Sequence, residues 1–206
     1  MLILSLAVLL LPSCGAAGSE STGADRSSAD APATDPVESY PGVTALQAGD
    51  AIADAMLAAS SALYLALLSS SDGHGVSSAD GALSLSWSDD ADFATGIGSY
   101  AIELDEFTVA EHTDFGAQAA GYTLTGSIML ESTDGLRSSL LMDLAASHSD
   151  PEQYPVRTIE IELSGYSTES AAPHGYVRVN GTEMTFAEVA GAFTVSASTA
   201  RHAPTE

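Results

Sequence analysis

The apolar positions of this chain change their spacing once. Between residues 44 and 70 they recur at intervals of three and four, at Ile52, Met56, Ala59, Leu63 and Ala66, which is the spacing of one helix face. Asp50 and Asp54 fall in the early turns of that segment, where carboxylates suit the helix dipole. Gly49 is a point where the helix is expected to break, and Gly73 and Gly75 mark its end. Residues 55–68 are apolar on almost every side, diluted by Ser60 and Ser61. The uncharged run is short for a membrane span, so the pattern predicts a helix covered by a sheet.

A Gly-Ser loop is expected over residues 69–82, and beyond it the period drops to two. Leu83, Leu85 and Trp87 alternate with Ser84, Ser86 and Ser88. Tyr100, Ile102 and Leu104 alternate with Ser99, Ala101 and Glu103. Leu124, Ile128 and Leu130 share one face, and Thr123, Thr125, Ser127 and Glu131 the other. Leu136, Leu140, Met142 and Leu144 alternate with Arg137, Ser139 and Asp143, and Ile159, Ile161 and Leu163 with Thr158, Glu160 and Glu162. Such alternation describes half-buried strands of an antiparallel sheet with one wet face. Thr133-Asp134-Gly135 reads as a short hairpin link, and Asn180-Gly181 as a two-residue turn joining residues 176–179 to 183–186. The sequon formed by Asn180-Gly181-Thr182 is accounted for by that turn. The expected fold is α+β: one long N-terminal helix packed on a curved antiparallel β-meander of about seven strands. It forms a single domain over residues 42–195, with a loose tail at 196–206.

The start of the chain follows different rules. Residues 2–11 read LILSLAVLLL, too short to cross a bilayer as a helix but the length of a signal-peptide apolar region. Leu11-Pro12-Ser13-Cys14-Gly15 follows directly. This stretch resembles the lipobox of bacterial lipoproteins, with a bulky aliphatic three residues before the cysteine and a small residue just before it. Pro12, and the lack of Lys or Arg ahead of the apolar run, depart from the usual pattern. The resemblance covers about the first fifteen residues. It implies a signal peptide at residues 1–13, cleavage between Ser13 and Cys14, and a diacylglycerol on the Cys14 thiol. Gly15, where an aspartate would favour inner-membrane retention, implies an outer-membrane or other cell-surface location.

Residues 15–41 are rich in Gly, Ala, Ser, Thr, Asp and Pro, with no large apolar residue before Val37. Such a segment does not bury enough surface to offset its ordering entropy. Residues 14–41 are therefore expected to form a lipidated cysteine and flexible tether, about 30 Å long on average and about 90 Å at full stretch. Cys14 is the only cysteine, which excludes an internal disulfide and a multi-thiolate zinc site.

Charge narrows the partners. Five basic residues, all arginine (Arg26, Arg137, Arg157, Arg178 and Arg201), face 28 acidic ones for a net charge of -23. That field repels phosphates, so nucleic acid is not an expected partner, and it attracts cations and basic proteins.

Candidate chemistry is sparse. The histidines His74, His112, His148, His174 and His202 match no metal-binding spacing. The richest local group is His148-Ser149-Asp150-Pro151-Glu152, whose plain reading is a solvated turn. Asp89, Asp90 and Asp92 are the densest acid run but lack the glycine and distant glutamate of a calcium loop. Glu160 and Glu162 share a strand face, a spacing some glycosidases use, although Thr158 in the same row marks an open polar face. No nucleophile elbow, dinucleotide fingerprint or phosphate loop occurs. Trp87, Tyr100, Phe107 and Tyr122 fall at core positions. The expectation is a non-enzymatic envelope lipoprotein without cofactor or metal, acting as a binding or structural module. The alternative is a carrier of an apolar ligand held between the helix and the curved sheet.

Overall fold

The structure, a computed structural model, describes residues 42–69, 73–109, 119–133, 137–167, 174–185 and 188–189. The expected signal peptide, Cys14, the tether and the tail lie outside those residues.

The helix α1 spans Ala45–Leu68. Thr44 caps it: its hydroxyl accepts from the Gln47 N–H at 3.3 Å while the Gln47 side chain accepts from the Thr44 N–H at 3.0 Å. This reciprocal box satisfies two otherwise unpaired groups and contributes about 1 kcal/mol. Gly49 does not break the helix; it is buried inside it. The helix stops at Ser69, whose N–H bonds to the Leu65 and Ala66 carbonyls, ahead of the expected Gly73 and Gly75. The buried face is built mainly of methyl groups, from Ala48, Ala51, Ala55, Ala58, Ala59 and Ala62, with Ile52, Met56 and Leu63 between them. Such short side chains let a helix axis approach a sheet closely. The helix is long and apolar enough to cross a membrane, but more than half of its apolar stretch is buried within the protein.

Eight strands follow the helix: β1 (Gly75–Ser77), β2 (Leu83–Trp87), β3 (Gly98–Thr108), β4 (Thr123–Ser132), β5 (Arg137–Ser147), β6 (Thr158–Ser167), β7 (His174–Val179) and β8 (Thr182–Met184). They form one open sheet in sequential order, every neighbouring pair antiparallel. Among the described residues the count is eight and not about seven. The extra strand, β1, lies inside the stretch expected to be a Gly-Ser loop, and three residues are too few to show a period. Both edges are three-residue strands, which limits edge-to-edge pairing with other chains.

The register sorts the two faces. One row of partners crosses all eight strands: Val76, Leu85, Ile102, Ile128, Met142, Ile161, Val177 and Met184. It lies in the core with the helix methyls. The adjacent row, Ser77, Ser84, Glu103, Ser127, Asp143, Glu160, Arg178 and Glu183, faces the other way. Each fully buried aliphatic side chain contributes about 1.5–3 kcal/mol, so a slip of one residue in this register is strongly opposed.

The register shifts at two places, between Leu104 and Phe107 where β3 meets β4 and between Ser138 and Leu140 where β5 meets β6. In β3 a bulge between Leu104 and Phe107 leaves Asp105 and Glu106 exposed and returns Phe107 to the core. Glu106 sits at φ 52°. Gly126, opposite Leu104, adopts φ 134°, and a Cβ there would collide with the Asp143 carbonyl oxygen. The expected Asn180-Gly181 turn is present, with φ of 51° and 74°, the left-handed pair that a two-residue hairpin needs. The Asn180 side chain also accepts from the Arg157 and Thr158 N–H groups at 2.6 and 3.1 Å and donates to the Pro155 carbonyl at 3.0 Å. The turn thereby clamps the lead-in to β6. The expected link at Thr133-Asp134-Gly135 falls mostly outside the described residues, but the strands it joins pair at Ser132 and Ser138.

Candidate functional site

The most organised polar cluster was not among the sequence candidates. Asp54 lies on the buried side of α1 with 0 % exposure. Its Oδ1 accepts the Ala120 N–H at 3.0 Å, and its Oδ2 accepts the N–H groups of Gly121 and Tyr122 at 2.9 and 2.8 Å. One carboxylate thus satisfies three consecutive peptide donors just ahead of β4. Burial nevertheless raises its pKa above the usual aspartate value, outweighing the three N–H groups that lower it, and Asp50 one turn earlier adds to the rise. Asp50 is itself raised by partial burial. The expected dipole role is not what these acids serve, since the first turn of the helix holds no acid. The sequence did carry a signal for Asp54: it is in phase with Ala51, Ala55 and Ala58 on the apolar face.

Aromatic rings extend this cluster. Tyr122 is fully buried, and its ring meets those of His148 and Tyr154 at centroid distances of 5.5 and 5.8 Å. The His148 and Tyr154 rings are 4.0 Å apart. The Tyr122 hydroxyl is buried without a hydrogen-bond partner among the described residues. Its pKa is pushed up to about 12, chiefly by burial, which a weak backbone interaction with Val156 and the Arg157 charge only partly offset.

His148 has a structural role. Its Nδ1 receives the Asp150 N–H at 2.9 Å, and its Nε2 lies 3.1 Å from the Ala120 carbonyl. A peptide N–H only donates and a carbonyl only accepts, so the hydrogen bonds assign the ring proton to Nε2. The Ala120 peptide is therefore held on both sides, by Asp54 at nitrogen and by His148 at oxygen. Asp150 accepts the Gln153 N–H at 3.1 Å in the turn expected there, and Glu152 is exposed.

The acid run at Asp89, Asp90 and Asp92 makes a turn. Asp92 accepts the Ala94 N–H at 2.8 Å and the Thr95 hydroxyl at 2.9 Å, and these bonds hold its pKa below the usual value. Asp89 and Asp90 are exposed, with His74 3.5 Å from Asp89. Among the described residues no group of three or more His, Cys, Asp or Glu is placed to hold a metal ion.

Glu160 and Glu162 share the outer face, as expected, but have separate neighbours. Glu160 pairs with Arg178 at 2.8 Å, and the Arg178 guanidinium also lies 4.8 Å over the Tyr176 ring. Glu162 stands exposed opposite Tyr176. A half-exposed pair such as Glu160–Arg178 contributes at most about 1 kcal/mol. Tyr100, Phe107 and Tyr122 are core residues, while Trp87 is partly buried against Phe93 with ring centroids 5.2 Å apart. Cys14, His112 and His202 lie outside the described residues.

Among the described residues the fold is α+β, a long helix with an open antiparallel meander. No family model, no curated protein and no solved structure matches the chain.

Proposed function

We propose that this protein is a membrane-anchored envelope lipoprotein whose folded body is a non-enzymatic interaction or structural module. The observation that carries the reading is Leu11-Pro12-Ser13-Cys14 placed directly after an apolar run and ahead of a segment too polar to pack. An acyl chain contributes about 0.8 kcal/mol per buried CH₂, and two or more chains on Cys14 give a durable attachment. Residues 14–41 then lift the body clear of the headgroups, on the outer-membrane or other cell-surface side that Gly15 favours.

The body's packing supports the module reading. The helix meets the sheet through alanine methyls, which leave little length of side chain between the two layers. The histidine and carboxylates singled out from the sequence serve loop and strand architecture: His148 braces Ala120, Asp92 makes a turn, and Glu160 pairs with Arg178.

Intact mass of the membrane-extracted protein tests the anchor. The expected wild-type mass starts at Cys14 and carries acyl groups that Cys14→Ala lacks. Masses differing only by the substituted side chain overturn the reading. A stoichiometric apolar molecule released from the body by organic extraction would replace the module with a ligand carrier.

A further inference from the structure

Two large apolar side chains stand where the strand alternation calls for polar ones. Met129 on β4 and Leu141 on β5 are direct partners on the outer face and are 48 % and 45 % exposed. Ala101 stands beside Met129 on β3, Glu162 beside Leu141 on β6, and Tyr176 beyond Glu162 on β7. Along the strands the pair is flanked by Glu131 and Asp143, both exposed. The next row adds Glu103 and Glu160. Arg178 is at the far side of this row and is already paired with Glu160. The result is an apolar pair at the middle of the sheet, bordered by carboxylates.

We propose that this face docks a cationic segment of a partner protein, one that places an apolar side chain over Met129 and Leu141 and basic side chains against Glu131, Asp143 and Glu162. Charge complementarity selects this occupant. An anionic lipid surface and a second copy of the chain, at a net charge of -23 each, are both repelled by the bordering acids. The polarizable, unbranched Met129 adapts to different apolar shapes. Two apolar side chains cover less area than a stable interface, which buries about 1,200 Å² or more, so the contact is weak, transient and salt-dependent. This inference deepens the interaction-module reading and is independent of the anchor.

The test uses the full chain and fluorescence anisotropy with a labelled peptide of alternating lysine and leucine. Oligolysine of the same length and a glutamate–leucine peptide serve as comparisons. The lysine–leucine peptide is expected to bind saturably and more tightly than either. Its affinity is expected to fall as NaCl rises from about 50 to about 300 mM. M129S/L141S is expected to weaken it about tenfold, from lost apolar burial, while leaving oligolysine binding unchanged. E131Q/D143N/E162Q is expected to weaken both cationic peptides, and this triple variant carries the test alone if the serine pair does not fold. Equal affinity of folded M129S/L141S and wild type, or no saturable binding by wild type, overturns the proposal. Lost binding with the acyl group still on Cys14 removes the docking face alone; an unacylated wild type that still binds removes the anchor alone.

Discussion

Asp54 and Asp92 are the same side chain in the same bonding role, and their pKa values shift in opposite directions from the usual aspartate value. Each carboxylate accepts backbone N–H groups, three at Asp54 and one at Asp92 with a threonine hydroxyl added. The better-bonded Asp54 is the one whose pKa rises, because it points inward from the helix and is fully buried. Asp92 sits on an exposed turn, where hydrogen bonds favour the ionised form and desolvation barely opposes them. Solvent access, and not the number of donors, decides the sign. It follows that Asp54 is an architectural latch whose charge is a cost, whereas the charge on Asp92 helps its turn.

The largest effect should come from removing the latch. Asp54→Ala leaves the N–H groups of Ala120, Gly121 and Tyr122 without their acceptor. Each buried orphan costs about 1–3 kcal/mol, and relief of the buried charge offsets part of the sum. The expected loss is about 3 kcal/mol in a urea titration at neutral pH. An unchanged midpoint would mean that water replaces the carboxylate and that the latch is not structural.

Titration sharpens the contrast through its sign. The pKa of Asp54 is higher in the folded chain than in the unfolded one. Its contribution is therefore fully present below the unfolded aspartate pKa and is lost as pH rises through the raised folded value. Asp54→Asn keeps a similar shape but turns an amide NH₂ toward at least one peptide donor, costing about 1–2 kcal/mol. Because the variant no longer titrates there, its deficit against wild type should be widest at acid pH and should narrow as pH rises. Urea midpoints across the acid range measure this, and a gap that widens upward would reverse the assignment.

Asp92→Ala should show the opposite trend. The folded pKa of Asp92 is depressed, so its contribution is present above the unfolded value and lost as pH falls through the folded one. The variant is expected to be slightly less stable than wild type at neutral pH and to converge with it in acid. The smallest effect belongs to Tyr122→Phe. Its hydroxyl has no hydrogen-bond partner among the described residues, so its loss should change stability by about 0.5 kcal/mol or less. A clear destabilisation would show that the phenol is bonded.

Regular elements were legible because their periods are long enough to read. The helix is found at Ala45–Leu68 against an expected 44–70, and the seven expected strands are present in order. The Asn180-Gly181 hairpin was legible from two residues, because few others adopt left-handed backbone at both positions. The strand β1 was not, since Gly-Val-Ser holds one apolar residue and forms a strand only because Ser84–Ser86 of β2 offers it an edge. Gly49 looked like a helix break, yet in the fold it is packed against neighbours, and that packing overrides its weak propensity.

By itself the sequence determined the alternation that makes one sheet face apolar, the helix at Ala45–Leu68, the hairpin at Asn180-Gly181 and the excess of acid. These depend on neighbours one to four residues apart. The tertiary structure alone decided that Asp54 would meet the peptides of residues 120–122, that His148 would brace the same segment, and that Met129 would face Leu141 among carboxylates. Those contacts join residues far apart in the chain, and their geometry is set by register and helix placement, which no local spacing encodes.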